Sequence, residues 1–228
     1  MNREPSTVNR EHEPAMTDPH ANQPVLRHGP DARHARLAII LVHGRGGSAQ
    51  DLLSLAAELR LDDVLYVAPQ AAGQSWYPYS FLTPMERNEP GLTSGLNKIS
   101  TLIEQLRHEG LPPERVGLTG FSQGACLALE YAARHARQYA AVVGLSGGVI
   151  GPPGTPRTYA GSLAGTPTFL GCSDVDPHIP VERVHETADV YRRLHAHVDA
   201  RIYPGMGHIV NEDEIEAVRD ILSAGSAR

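Results

Sequence analysis

The chain has 228 residues, 41% of them hydrophobic, enough for one large domain with a substantial core. Its formal net charge is −6 with Lys and Arg scattered, so it lacks the basic runs that track nucleic-acid phosphates. Two cysteines do not suggest a disulfide scaffold, and no apolar run approaches the ~18 residues of a membrane span.

Residues 1–23 are polar, hold three prolines and show no hydrophobic period, so they are expected to form a loosely attached tail. They also lack the apolar core of a signal peptide, and a soluble, cytoplasmic protein without stable membrane insertion is the expectation. From there short apolar runs alternate with helical patterns. VLRH, followed by Gly29, Pro30 and Asp31, reads as a hairpin arm before the first long strand. The continuous apolar run at 36–42 has the length of a strand buried on both faces. Ser48 then caps a helix that turns Leu52, Leu55, Ala56 and Leu59 inward.

VLYVAP at 64–69 is the next strand. Leu92, Leu96, Ile99, Leu102, Ile103 and Leu106 follow helical spacing up to Gly110. A strand at 115–119, a helix at 123–137 and a strand at 140–146 come next. A strand at 166–171 precedes a helix carrying Val181, Val184, Ala188, Tyr191 and Leu194. The last pair is a strand at 200–203 and a helix capped by Asn211, with Glu214 three residues on. Strands alternating with helices over ~200 residues predict a mainly parallel sheet with helices on both faces. Residues 71–90 and 147–165 interrupt the rhythm as unusually long loops, where function concentrates.

Two segments match Gly-x-Ser-x-Gly, a pattern that often marks a nucleophilic serine. They are centred on Ser122 and Ser146. A nucleophile elbow needs a strand, a tight strained turn and then a helix. Ser122 has all three, and the following helix aims its N-terminal amides at the place where an oxyanion would form. GGVIGPPGTP follows Ser146 and cannot continue as a helix, so Ser146 reads as a strand-end loop residue.

A serine needs a base, and the base needs an orienting acid, here in the chain order Ser, Asp/Glu, His. The segment after the strand at 166–171 offers Asp174 and Asp176, and His208 follows the next strand between two glycines. His178, His195 and His197 read as exposed polar residues, and no Cys/His cluster has metal-ligand spacing. LVHGRGGSAQD at 41–51 is the loop expected to donate one oxyanion-hole amide, that of Arg45; the residue after the nucleophile, Gln123, donates the other. Trp76, Tyr77, Tyr79 and Phe81 cluster in one long loop, and with Phe121 beside the serine they suggest a substrate wall. The plain alternative is a loop packed on the sheet edge.

LVHGRGGSAQD, GFSQGACLAL, DVDPHIP and GMGH together resemble the carboxylesterase/lysophospholipase/acyl-protein thioesterase branch of the α/β-hydrolases, in order and spacing from about residue 36 to 222. The resemblance implies a single α/β-hydrolase domain over 24–228 without a large cap. It also implies a Ser122–Asp176–His208 triad, because the family places its acid just before a Pro-x-(Val/Ile)-Pro segment. The chain departs from the family at Cys172-Ser173, where His-Gly is common.

The implied protein is a serine carboxylesterase that cleaves small-molecule esters or thioesters through an acyl-enzyme, without cofactor or metal, as a monomer or homodimer. Its activity should fall as His208 becomes protonated. A dienelactone-type hydrolase usually carries a cysteine nucleophile, a peptidase would carry subsite insertions, and a non-catalytic ligand-binding relative tends to lose part of the triad.

Overall fold

The computed structural model describes residues 18–224. Seven strands make one sheet: β1 (Val25–His28), β2 (Leu37–Val42), β3 (Val64–Pro69), β4 (Val116–Phe121), β5 (Ala141–Leu145), β6 (Pro167–Ser173) and β7 (His197–Tyr203). They lie in the order β1-β3-β2-β4-β5-β6-β7, with β1 antiparallel to β3 and every other pairing parallel. The arm expected beside β2 therefore covers the far edge of β3 instead. A helical turn, in which the His34 and Ala35 amides donate to the Asp31 carbonyl, leads the chain from β1 back to β2.

Five helices flank the sheet: α1 (Ala49–Ala57), α2 (Gly91–His108), α3 (Gln123–Arg134), α4 (Val181–Arg193) and α5 (Glu212–Ala224). Every residue of β2 and β3 is buried, as the unbroken apolar runs predict. The pleat divides β2 between two cores. Ala38, Ile40 and Val42 pack with apolar residues of α2, α3 and α4, while Leu37, Ile39 and Leu41 pack with those of α1 and α5. Ser48 caps α1 in a reciprocal capping box with Asp51. No helix among the described residues is long and apolar enough to cross a membrane.

Residues 1–17 lie outside the described residues, but residues 18–23 are docked on the fold rather than loosely attached. His20 is fully buried: its ring accepts the Ala72 N–H at 3.0 Å and donates to the Trp76 carbonyl at 2.9 Å. Lys98 donates to the carbonyls of Ala21 and Gln23, both at 2.9 Å. Polar composition hid this docking because its contacts are hydrogen bonds more than apolar burial.

The chain leaves β2 for β3 on one side and takes β4 on the other. The crevice at the C-terminal ends of β2 and β4 is thus a topological switch point, where ligand sites form in open α/β sheets.

Candidate active site

Ser122 stands between β4 and α3 with φ 56° and ψ −120°, a conformation that non-glycine residues rarely hold. The turn is held from both sides: its N–H donates to the Leu145 carbonyl at 2.9 Å, and its carbonyl accepts the Cys126 N–H at 3.0 Å. The two motif glycines make this closeness possible. A Cβ on Gly120 would overlap the Gly124 carbonyl, and one on Gly124 would overlap the Val42 carbonyl of β2.

Three side chains from three strand ends converge here. His208 Nε2 lies 2.8 Å from Ser122 Oγ, and His208 Nδ1 lies 2.7 Å from Asp176 Oδ2. A carboxylate only accepts, so Nδ1 carries the proton and Nε2 is free to accept from the serine hydroxyl. Burial alone would raise the Asp176 carboxyl, but hydrogen bonds from His208 and from the His178 and Ile179 amides hold it below its usual range.

The loops that carry these residues are stapled together. Ser173 Oγ accepts the amides of Val175 and Gly207, both at 3.1 Å, and Asp174 accepts the Gly205 amide at 2.7 Å. Asp174 thus ties the acid loop to the His208 loop and does not face the imidazole. Cys172, where the family often has histidine, sits 3.8 Å from Asp176 Oδ2. Burial, with the Asp176 charge, pushes its thiol up to about 12, so it remains an S–H donor.

The Gly44–Arg45 peptide is oriented from behind. Buried His43 accepts the Ala71 N–H on Nε2 at 3.0 Å, so its proton resides on Nδ1 and is donated to the Gly44 carbonyl at 2.7 Å. Burial lowers the pKa of this imidazole and favours that neutral form. The Gly44–Arg45 peptide is trans, so fixing its carbonyl toward His43 turns the Arg45 N–H the opposite way. Neither the Arg45 nor the Gln123 amide has a hydrogen-bond partner among the described residues, and Gln123 opens α3, where amides lack intrahelical partners.

A cavity of about 560 Å³ opens over Ser122. Tyr77, Tyr79, Phe81 and Phe121 line it, as the aromatic clustering predicts, and Phe121 also packs on the His208 ring at 5.0 Å. Trp76 does not line it, contrary to expectation. It is fully buried, donates its indole N–H to the His43 carbonyl at 2.9 Å, and sits between the rings of His20 and His43. An indole that finds an internal acceptor is a strut for the loop rather than a substrate wall.

The lining also takes in residues that the sequence reading did not assign to the site, among them Cys126, His178 and Ile179. Cys126 was detectable in principle, because it lies one helical turn after Ser122. His178 is exposed, as the sequence reading has it, and in addition borders the cavity edge-on to the His208 ring at 4.9 Å, with its amide bonded to Asp176. His195 and His197 are absent from the lining.

The sequence model of the phospholipase/carboxylesterase family matches residues 28–225. A crystal structure of a phospholipase/carboxylesterase from Dyadobacter fermentans is 39% identical, covers 88% of this chain and 97% of its own, and superposes with a TM-score of 0.85. Acyl-protein thioesterase 1 of Debaryomyces hansenii is 28% identical over 84% of this chain and 92% of its own length. The Saccharomyces cerevisiae protein of the same name is 27% identical over 86% and 96%. The chain belongs to the phospholipase/carboxylesterase family of α/β-hydrolases.

Proposed function

We propose that this chain is a serine esterase that hydrolyses carboxylic esters and thioesters through an acyl-enzyme on Ser122. The observation that carries this reading is the continuous Ser122–His208–Asp176 relay, with links of 2.8 and 2.7 Å, at the floor of the cavity. His208 takes the serine proton as Oγ attacks the acyl carbonyl, and Asp176 stabilises the imidazolium that forms. The Arg45 and Gln123 amides receive the oxyanion, which appears only as the tetrahedral centre develops.

His208 then passes its proton to the departing alkoxide or thiolate. Water activated by the same imidazole releases the acid and restores Ser122. The thioesterase names of the curated relatives favour including thioesters, because one oxyanion hole serves both carbonyls.

The test is hydrolysis of p-nitrophenyl acyl esters by wild type and Ser122→Ala, together with fluorophosphonate labelling read by mass spectrometry. The expected result is a loss of at least about 10⁴-fold and disappearance of the label from the variant. Wild-type activity in Ser122→Ala, or a label on another residue, overturns the assignment.

A further inference from the structure

The cavity wall is held from outside. Gln123 accepts the Trp76 N–H at 2.9 Å and donates to the Tyr77 carbonyl at 2.8 Å. Arg45 donates to Ser75 Oγ at 3.0 Å, the Pro78 carbonyl at 2.9 Å and the Tyr79 carbonyl at 2.7 Å. Ser75 Oγ passes its own proton to the Tyr77 carbonyl at 2.9 Å, closing the set.

An exposed arginine is ordinarily solvated or paired with an acid. Arg45 has no carboxylate within ion-pair distance among the described residues, and all three of its acceptors are neutral groups of one loop. A planar fork serves these acceptors from two separate nitrogens in a fixed geometry, where an ammonium would have to serve them from a single point. Residue 45 therefore presents its amide beside Ser122 and its side chain to the wall that faces Ser122.

We propose that Arg45 is a specificity-determining residue, whose guanidinium fixes the wall bearing Tyr77, Tyr79 and Phe81 and thereby sets which acyl groups the site accepts. This rests on the acyl-enzyme reading above. The inner part of the wall, Tyr77 and Phe81, concerns the acyl part, because the leaving group exits through the exposed mouth at Tyr79 and His178. The retained acyl group then lies toward the buried end, at Tyr77, Phe81, Cys126 and Ile179.

The experiment measures kcat/KM for p-nitrophenyl esters from acetate to decanoate with wild type, Arg45→Met and Arg45→Lys. Both variants keep the backbone amide. The expected result is a flattened acyl-length profile: the ratio between best and worst chain falls on the order of tenfold in both variants. Ser75→Ala, which removes one shared node, shifts the profile the same way by less, and decides the matter if the Arg45 variants do not fold.

A uniform drop across all chain lengths with an unchanged profile overturns the proposal, since the side chain would then support the loop as a whole without selecting among acyl groups. A wild-type profile in Arg45→Lys overturns the role of the fork. Loss of fluorophosphonate labelling in wild type itself would instead refute the acyl-enzyme reading, which separates the two failures.

Discussion

Glu214 offers a quantitative check on the packing behind the site. It begins α5 as the capping partner of Asn211: one carboxyl oxygen accepts the Asn211 N–H at 2.9 Å, and Asn211 accepts the Glu214 N–H at 2.8 Å. The other oxygen is buried against Gly171 of β6 without a hydrogen-bond partner among the described residues. Burial, reinforced by neighbouring Asp213, pushes the carboxyl up to about 7, against 4.5 for a free glutamate.

An acid with a raised folded-state pKa binds its proton more tightly in the native state. Its contribution is therefore most favourable in acid and is lost as pH rises from 4.5 to about 7. At pH 8 the cost of ionising Glu214 in place is about 3 kcal/mol. That cost is already net of the charge-assisted bond from the Asn211 N–H, which opposes the burial, so Glu214→Gln removes all of it. The expectation is a gain of about 3 kcal/mol at pH 8, or roughly 6–12 °C in Tm for a domain of this size.

At pH 5 the native glutamate is already protonated, and the variant should differ from wild type by less than about 1 kcal/mol. Paired thermal or urea melts at pH 5 and 8 read this difference directly. The comparison isolates Glu214, because every other titrating group is common to both proteins and cancels in the difference between them. A variant less stable than wild type at pH 8, or a difference that does not change with pH, refutes the reasoning.

His43→Ala should free the Gly44–Arg45 peptide to rotate, lowering kcat on the order of 10²-fold, as for loss of one oxyanion donor, while KM changes little. Steady-state kinetics on one short-chain ester decide it, and an equal loss through KM alone counts against the orienting role. Gly124→Ala should cost more than about 3 kcal/mol, because its Cβ meets the backbone carbonyls of Val42 and His43 rather than a yielding side chain. A urea midpoint within error of wild type would contradict that close approach.

The alternation of apolar runs and helical patterns was enough to read the sheet, the helices and the strand ends on which Ser122, Asp176 and His208 stand. Each of those inferences rests on local pattern: a run buried on both faces, a cap, a turn glycine. What escaped depends on partners distant in sequence. Trp76 sits in an aromatic cluster and looks like its neighbours until its indole is seen donating to His43, 33 residues away. His20 looked like part of a polar tail because its donor and acceptor, Ala72 and Trp76 respectively, are more than fifty residues on. His178 is held at the cavity edge where its amide and that of Ile179 both donate to Asp176. Composition and period carry no trace of such pairings.

The two Gly-x-Ser-x-Gly segments show where the local signal ends. Ser146 also has a positive φ, 52°, and its N–H donates to the Gly171 carbonyl of β6 just as that of Ser122 donates to Leu145 of β5. Strained backbone is therefore common to both strand ends and cannot itself mark the nucleophile. Access makes the difference. Ser146 is fully buried, its hydroxyl without a hydrogen-bond partner among the described residues, and the chain after it is packed so closely that a Cβ on Gly147 would press into Ala125 of α3. Ser122 has that same helix beginning directly behind it, which leaves its hydroxyl facing the cavity and the Gln123 amide beside it. The motif selects a backbone shape, and the helix that follows determines whether that shape presents an oxygen to substrate.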